Sequence, residues 1–345
     1  MDPNAAKEGP SIAVDRLKGI LIVLIVIGHN ALITSAYDDF RRMLYLFHVQ
    51  SFFLLSACLS KRLPDRRKLA DKLLRYEIPY LAFLVLYALV FTVVLRRGAG
   101  LRELPLGLVR CVVAPTEASL KSVAGVSMLW FLPALVSFTL FDTALRRWAG
   151  ALVPAAAAVV HVALALLPDA VPGGVPWFVR TAAFLLFPGA CARALWGRVA
   201  PEALFWPAAA AALVSGTALF RTGATFQVAS LDLPALLVQD AFLLSAFLAL
   251  AAAPLPAGVS RVFAFLGRES FVIYLCHTLI FYGLLAVLRV DDGAGWRVGV
   301  GILVVTIALS LVAGRVIAAL PRLRSALFPS GWADFRSAFA PRRGA

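Results

Sequence analysis

The sequence predicts an all-α, polytopic membrane protein with about ten transmembrane helices. Hydrophobic residues make up 61% of the 345-residue chain and charged residues only 15%, whereas charged residues make up about 25% of a typical soluble domain. The mean hydropathy is +0.86, and apolar stretches of about 20 residues, the length needed to cross hydrocarbon, recur along the chain. A globular interior cannot bury so much apolar surface, which excludes a soluble protein.

Ten apolar stretches are predicted to cross the membrane. The first contains ILIVLIVIGHN and exceeds the apolar length of a typical signal peptide, so it is expected to be retained. The fifth and seventh are rich in alanine, which lets helices approach closely in a bilayer. The ten spans are 17–36, 44–60, 78–95, 127–144, 151–167, 177–195, 204–220, 233–252, 269–288 and 297–319. Residues 101–118 are interrupted by two prolines and an arginine, and are predicted to form a re-entrant or surface helix in a long loop.

The chain is predicted to form a single membrane domain, residues 1–345, with short tails at 1–14 and 320–345. No Gly/Ser-rich linker and no change of composition divides it. With the N-terminus inside, most of the 33 Lys and Arg residues fall on the cytoplasmic side, so both termini are expected in the cytoplasm. This bias accounts for the net charge of +14 without a nucleic-acid partner, and membrane lipids are the expected partners.

The cysteines give no sign of a disulfide or a metal site. The four are Cys58, Cys111, Cys191 and Cys276; they show no CxxC spacing, and three of them lie in apolar segments. They are expected to be small apolar packing residues. No metal ion is therefore expected.

Ionisable side chains inside the predicted spans are candidates for function, because they are costly in hydrocarbon. His29 lies about 18 Å from the cytoplasmic end of the first span, His48 about 6 Å below the opposite face, and His277 near the middle of the ninth span. Asp240 lies in the outer half of the eighth span. For His29 and Asp240, a hydrogen bond between helices is an equally good interpretation. His161 also lies at mid-membrane and is interpreted as structural, because no motif includes it.

A basic cluster follows the second span, from Lys61 to Arg75. Such a cluster is typical of a topology anchor that attracts anionic lipid. The alternative is a binding surface for a cytosolic ligand that carries phosphates. Lys18, at the cytoplasmic end of the span that carries His29, favours this alternative, whereas Arg16 can equally be an anchor.

Five segments of the chain carry motifs. DRLKGILIVLIVIGH places Lys18 eleven positions before His29 in the first span. FHVQSFFLLSACL places a histidine before a Phe-Phe pair, and KLLRYEIPY is a basic stretch that contains a proline. SMLWFLPALV carries Trp-Phe-Leu, and FLGRESFVIYLCH carries Gly-x-x-Ser followed by Tyr-x-x-His. In this order and spacing, the segments resemble the acyltransferase-3 family of integral membrane acyltransferases, and the lysine at position 18 resembles its sugar O-acetylase branch.

The resemblance implies transfer of an acyl group, with acetyl expected, from cytosolic acyl-CoA to a hydroxyl of a carbohydrate or glycosylated acceptor. The expected location is the cytoplasmic (inner) membrane of a bacterium. Imidazole suits this chemistry, because it can act near neutral pH as a general base or as a carrier of the acyl group. A transporter or flippase for a lipid-linked saccharide is the alternative, since it too needs buried polar groups and a basic cytoplasmic face.

The expected site combines the resemblance with the positions of the polar residues in the spans. The expected catalytic residues are His29, His48, His277 and Asp240; the expected acyl-CoA-binding residues are Lys18, Lys72, Arg75 and Arg16; and the expected acceptor-binding residues are Trp130, Tyr274 and Ser270. Basic side chains at the cytoplasmic face suit the phosphates of acyl-CoA. A channel from this face to the histidines is expected to admit the acyl-pantetheine arm.

Overall fold

The structure is a computed structural model, and its described residues are helical, with no strand among them. The residues described are 10–35, 37–60, 63–94, 102–113, 115–167, 175–196, 198, 200–221, 233–290 and 294–340. They form two compact units, each assembled from three segments of the chain. The first unit is Met1–Lys61, Leu152–Ala170 and Phe184–Leu311, and the second is Arg62–Ala151, Val171–Ala183 and Val312–Ala345.

The helices are numbered in chain order. They are α1 (Pro10–Gly28), α2 (Ala31–Thr34), α3 (Asp38–Tyr45), α4 (Gln50–Leu59), α5 (Arg66–Leu89), α6 (Leu104–Val113), α7 (Glu117–Ala124), α8 (Phe131–Ala149), α9 (Val153–Leu166), α10 (Trp177–Phe184), α11 (Leu186–Leu195), α12 (Pro201–Arg221), α13 (Leu233–Ala252), α14 (Ala257–Arg268), α15 (Ser270–Leu288), α16 (Gly295–Ala319), α17 (Pro321–Leu327) and α18 (Trp332–Phe339). A π-helical turn, Val90–Val94, extends α5, and 3-10 turns precede α8 and α9.

The all-α, polytopic membrane fold is confirmed. Eight helical segments of the described chain are long and apolar enough to cross a membrane. One of them, Met128–Leu166, includes most of two of the predicted spans, with a 3-10 turn at Gly150–Leu152 between them. The first predicted span is not among the eight, because α1 carries three charged residues between positions 15 and 18. The number of crossings, about ten, stays a prediction.

Three predicted spans contain breaks that the sequence analysis did not anticipate. The predicted span 17–36 is instead a helix that begins at Pro10 and ends at Gly28, followed by the short α2. The second span is divided by a turn at 46–49, and the sixth is divided at Leu185. The first break has a clear cause, because an asparagine caps the N-terminus of α2 with its side chain.

The third predicted span begins a dozen residues earlier than expected. Helix α5 starts at Arg66, after Asp65 accepts a hydrogen bond from the Lys68 backbone N–H at 2.8 Å. This bond lowers the pKa of the Asp65 carboxyl below its ordinary value. The described part of the basic cluster is therefore helical and does not lie in a loop.

Helices α14, α17 and α18 were not predicted. Helix α14 occupies a stretch that was assigned to a cytoplasmic loop, and it packs along α1 through glycines. A Cβ on Gly19 would lie 1.8 Å from Phe263 O, and one on Gly267 would lie 1.7 Å from Asp15 O. Only glycine fits at these two positions, so the backbones of α1 and α14 are in direct contact.

Packing within each unit leaves apolar outer faces. In the first unit, Leu46, Leu219 and Phe242 form a buried cluster where α12 packs against α13. In the second, α5 packs against α7 and α8. Large apolar side chains such as Trp206 and Val287 are exposed, as expected for surfaces that face lipid.

Candidate active site

His29 ends α1 on the same face as Lys18. Its backbone N–H donates to Ile25 O at 3.1 Å, so the last turn of the helix includes His29. The eleven residues from Lys18 to His29 correspond to about three turns, or about 16 Å along the axis. The sequence motif therefore places a cation near the middle of α1 and an imidazole at its end, in line with each other.

Asn30 fixes the end of α1. Its Oδ1 accepts from the Ile33 backbone N–H at 3.3 Å, and its Nδ2 donates to Gly299 O on α16 at 2.8 Å. The side chain is 1% exposed. Gly299 permits the close approach, since a Cβ there would lie 2.9 Å from Ile33 Cγ1. Asn30 thus holds the end of α1, next to His29, against α16.

His48 lies in the turn between α3 and α4 and is fully buried. Its Nδ1 donates to the Leu44 carbonyl. The ring of Tyr45 lies 5.0 Å from the ring of His48 and 6.2 Å from that of His29, measured between centroids. The Tyr45 hydroxyl donates to Gly28 O at 3.3 Å. Tyr45 therefore connects the end of α1 with the turn that carries His48.

His277 comes to the same place from α15. Its ring centroid lies 5.3 Å from that of His29, with the rings edge to face. Its Nδ1 donates to Tyr274 O at 2.7 Å and lies 3.1 Å from Ile273 O, and its Nε2 accepts from the Thr278 hydroxyl at 3.0 Å. Both nitrogens of His277 are therefore engaged within α15.

The three histidines, with Tyr45 and Tyr274, form what we call the histidine cluster, which lies within the first unit. Their hydrogen bonds fix the tautomer of each ring. In each histidine, Nδ1 faces a carbonyl oxygen, which can only accept, so Nδ1 carries the proton and Nε2 carries the lone pair. His29 donates in this way to Ile25 O at 2.9 Å.

The three lone pairs have different surroundings. That of His277 is occupied by Thr278. The Nε2 of His48 is buried without a hydrogen-bond partner among the described residues. His29 is the one histidine of the cluster that is partly exposed. His29 therefore differs from the other two histidines of the cluster, which are buried.

Lys18 and Arg16 each have a partner in the first unit. Lys18 Nζ lies 3.1 Å from Asp15 Oδ1, and the two side chains are 30% and 19% exposed. Arg16 Nη2 donates to Ala251 O, near the end of α13, at 3.0 Å. A cation at a helix C-terminus is favourable, so this contact suits an anchor. Lys18 is the better placed of the two to reach a ligand.

Lys72 and Arg75 lie one turn apart on α5, in the second unit. Arg75 is exposed, and its Nε donates to Ser330 O at 2.7 Å. The nearby Asp71 accepts from the backbone N–H of Trp332 at 2.9 Å. The basic face of α5 is thus in contact with the segment that follows α16.

The expected acceptor-binding residues are divided between the units. Tyr274 and Ser270 lie on α15, and Tyr274 belongs to the histidine cluster, with its ring centroid 6.2 Å from that of His277. Trp130 lies in the second unit, where its ring centroid is 4.4 Å from that of Trp177. The planes of the two indole rings are inclined at 49°.

Asp240 contacts His161. Its Oδ2 lies 2.7 Å from His161 Nε2, and His161 Nδ1 donates to Phe184 O at 2.7 Å. Pro188, four residues after Phe184, has no N–H to donate to that carbonyl. His161 supplies the missing donor at the break between α10 and α11. This arrangement agrees with the structural interpretation of His161.

Four residues that contact the expected site residues were assigned no role from the sequence: Asp15, Asn30, Tyr45 and Trp177. Asp15 lies in the first motif, and Asn30 and Tyr45 are close in sequence to motif histidines, which is the one signal that could have indicated them. Among the described residues, no group of three or more His, Cys, Asp or Glu side chains is placed to hold a metal ion.

Several imidazoles brought together in a chain of membrane-spanning helices mark a functional site of a polytopic membrane protein. The model of one family, described as an acyltransferase domain, matches residues 11–315. The chain therefore belongs to the acyltransferase-3 family. No curated protein and no solved structure matches the chain.

Proposed function

We propose that this protein transfers an acyl group, with acetyl expected, from acyl-CoA to a hydroxyl of a carbohydrate or glycoside acceptor. Membership of the acyltransferase-3 family supports acyl transfer. The observation that carries the proposal is the state of His29, a partly exposed residue of the histidine cluster whose Nδ1 is engaged. Its Nε2 is then a base that an acceptor hydroxyl can approach.

In the proposed reaction, His29 Nε2 removes the proton of the acceptor hydroxyl as the oxygen attacks the thioester carbonyl. The new C–O bond forms, the C–S bond breaks, and the CoA sulfur takes a proton from the imidazolium, which restores the base. Alternatively, Nε2 attacks the thioester carbonyl, the C–S bond breaks, and the CoA thiolate leaves. The acceptor oxygen then attacks the acyl-imidazole, the N–acyl bond breaks, and the hydroxyl proton passes to the thiolate. Both routes need the same tautomer, which the bond from Nδ1 to Ile25 O supports.

His48 and His277 have supporting roles in this proposal. His277 contacts His29 edge to face and is held by bonds at both nitrogens. His48 is fixed on the other side of Tyr45. Together they define the position of the reacting imidazole, and the surrounding apolar helices limit hydrolysis of the thioester. The contact of Asp240 with His161 supports a structural role for Asp240 instead of proton transfer at His29.

The donor is proposed to lie on the cytoplasmic side of a bacterial inner membrane, with both termini on that side. Lys18, Lys72 and Arg75 are the proposed ligands of the CoA phosphates, because ammonium and guanidinium groups form strong charge-assisted bonds with phosphate. Arg16 is assigned to anchoring. On the acceptor side we propose Trp130 as a surface for a sugar ring, and Ser270 and Tyr274 as hydrogen-bonding groups.

The proposal is tested with asparagine variants of the purified protein in lipid nanodiscs. The Asn Nδ2 can replace the imidazole Nδ1–H, so His29→Asn keeps the bond to Ile25 O and removes only the basic nitrogen. Release of CoA from acetyl-CoA is followed with a thiol reagent, in the presence of candidate glycoside acceptors. We expect His29→Asn to lower kcat by roughly 10²–10⁴-fold, the usual contribution of a general base.

The matched controls are His48→Asn and His277→Asn, which keep the same backbone bond at less accessible positions. They are expected to lose much less activity than His29→Asn. Normal turnover by His29→Asn would remove His29 as base or acyl carrier. A wild-type protein that moves a lipid-linked saccharide across vesicles without consuming acetyl-CoA would establish the transporter alternative.

A further inference from the structure

The segment that follows α16 closes over the basic end of α5 within the second unit. The Trp332 backbone N–H donates to Asp71 Oδ1 at 2.9 Å, and Arg75 Nε donates to Ser330 O at 2.7 Å. We call residues 328–334 the C-terminal clasp. The family model ends at residue 315, so family membership assigns no role to this clasp.

The clasp is braced internally and fitted closely to α5. Asp334 accepts from the Ser325 hydroxyl at 2.6 Å and from the Ser330 backbone N–H at 2.7 Å. These bonds lower the pKa of the Asp334 carboxyl below its ordinary value, so it is charged at neutral pH. The backbone at Gly331 lies directly on Asp71, since a Cβ there would be 2.9 Å from the Asp71 carboxyl carbon.

The bond to Ser330 determines how Arg75 presents its charge. A guanidinium is planar, so fixing Nε sets the orientation of the whole group. The two Nη groups lie on the edge away from the side-chain stem, and no second hydrogen bond of Arg75 is found among the described residues. An exposed guanidinium held in this way is prepared for a bidentate contact with a phosphate.

We propose that the C-terminal clasp is part of the donor site, where it holds Arg75 so that its two Nη groups face a phosphate of acyl-CoA. The inference rests on the proposed function, in which Arg75 binds the donor. The competing explanation is that the contacts only tie the end of the chain to α5. The two explanations differ in what the loss of Asp71 does to donor binding.

Variants of Asp71 distinguish the two explanations, because the charge of Asp71 and its hydrogen bond have opposite effects on the KM for acyl-CoA. A carboxylate beside a phosphate site repels the ligand, so removing it from a site without a clasp lowers the KM for acyl-CoA or leaves it unchanged. If the clasp positions Arg75, Asp71→Ala releases Trp332 and raises that KM. Asp71→Asn keeps the acceptor oxygen and removes the charge, so it restores a KM at or below that of the wild type.

The experiment measures the KM for acetyl-CoA in nanodiscs for Asp71→Ala, Asp71→Asn, Arg75→Ala and the double variant Asp71→Ala/Arg75→Ala, with folding checked by size-exclusion chromatography. Arg75→Ala is expected to raise the KM roughly tenfold, the cost of one charge-assisted bond. Asp71→Ala is expected to raise it about as much, with little change in kcat. The double variant is expected to match Arg75→Ala alone, because both changes remove the same contact.

Asp334→Ala is an independent variant, because it removes hydrogen bonds inside the clasp and leaves Asp71 in place. It is expected to raise the KM as Asp71→Ala does.

A KM that is unchanged or lower in Asp71→Ala and Asp334→Ala, or effects that add to that of Arg75→Ala, would overturn the inference while leaving the proposed function in place. Wild-type protein that neither binds nor consumes acetyl-CoA would overturn the proposed function and the inference with it.

Discussion

The histidines of the cluster differ in whether a ring nitrogen stays available once their local hydrogen bonds are made. Each one uses Nδ1 to satisfy a carbonyl one turn earlier in its own chain segment. His277 also uses Nε2, and His48 is fully buried. Burial and bonding thus distinguish three side chains that the motifs alone treat as equivalent, and they favour His29 as the reacting group.

Lys18 is predicted to act on the donor through a charge that Asp15 partly neutralises. The Nζ–Oδ1 distance is 3.1 Å, and both groups are partly exposed, so a phosphate can compete for the ammonium. Lys18→Ala should remove one charge-assisted bond, worth about 1.5–3 kcal/mol, and so raise the KM for acetyl-CoA roughly tenfold or more. Asp15→Asn should leave this KM unchanged or lower it.

Arg16→Ala provides the control for Lys18, because Arg16 donates to Ala251 O. It should reduce thermal stability and leave the KM for acetyl-CoA near that of the wild type. If Lys18→Ala and Arg16→Ala have the same effect on donor KM and on stability, Lys18 is a topology anchor like its neighbour.

Sequence motifs could identify the polar side chains but not their partners. The positions of His29, His48 and His277 in three separate spans were evident, and the structure brings these residues together. The partner of Asp240 was not predictable, because His161 belongs to no motif and the need for its N–H arises from a proline in a third helix. Such pairings depend on which faces of the helices meet, and the sequence does not specify that.

Breaks in the helices occur where polar side chains can satisfy the freed backbone groups. At the end of α1, the Asn30 side chain accepts from the Ile33 backbone N–H and donates to Gly299 O. His161 bonds Phe184 O at the break before α11. In a bilayer an unsatisfied carbonyl is expensive, so a break without such a partner is not tolerated. His29, the proposed base, lies at one of these breaks, beside Asn30.

The break between α10 and α11 predicts that a second substitution restores part of the stability lost in a His161 variant. His161→Ala should remove the hydrogen bond to Phe184 O and the contact with Asp240, and destabilise the protein by about 3 kcal/mol, as expected for breaking a buried pair. Pro188→Ala supplies a new N–H for Phe184 O. The double variant should therefore recover about 1 kcal/mol relative to His161→Ala.

The measurement is thermal unfolding of each variant in the same detergent, together with kcat per folded molecule. Since no step of the proposed reaction uses His161, kcat should change little in the folded fraction. Equal destabilisation with and without Pro188→Ala would show that Phe184 O does not need the imidazole.

The direct contact of α1 with α14 gives a second prediction about the helices. Gly267→Ala places a methyl group 1.7 Å from Asp15 O, a clash that flexible side chains cannot relieve because both groups are backbone. The two helices must separate, and we expect a loss of at least about 1–3 kcal/mol, measured as a fall in the midpoint of thermal unfolding.

Gly283→Ala is the matched control, because no atom lies within 4 Å of the Cβ position in the interior of α15. It should be neutral or stabilising by up to about 1 kcal/mol, since alanine favours helix. If both alanine variants behave alike, the close packing of α1 on α14 is not important for stability.

Composition and span length were sufficient to predict the all-α membrane architecture, because they show that the helices are surrounded by lipid and not by water. A chain that is 61% hydrophobic has to place its helices in lipid. The amphipathic α14 and the short α17 and α18 were missed because they are too short to span the bilayer, and their periodic patterns fell within stretches interpreted as loop and tail. The two compact units were not predicted, since each is assembled from segments far apart in sequence.

The final prediction concerns the orientation of the helices in the membrane, on which the proposed donor site depends. Arg147, just before the end of α8, donates from Nη2 to Pro64 O at 3.2 Å, next to the start of α5. The end of α8 and the basic end of α5 must therefore lie on the same side of the membrane. If cytosolic acyl-CoA binds at Arg75, this side is the cytoplasm, in agreement with the distribution of basic residues.

Single cysteines test this orientation in a variant in which the four native cysteines are replaced by alanine. Trp148 is 89% exposed near the end of α8, and Val113 is 77% exposed at the end of α6, in the loop predicted to be extracytoplasmic. A membrane-impermeant maleimide added to intact spheroplasts should label Val113→Cys at once, and Trp148→Cys only after permeabilisation. Labelling of Trp148→Cys from outside would place Lys72 and Arg75 away from the cytosolic donor. Arg75 could then not hold cytosolic acyl-CoA, and the proposed donor site would have to be abandoned even if His29 remained the base.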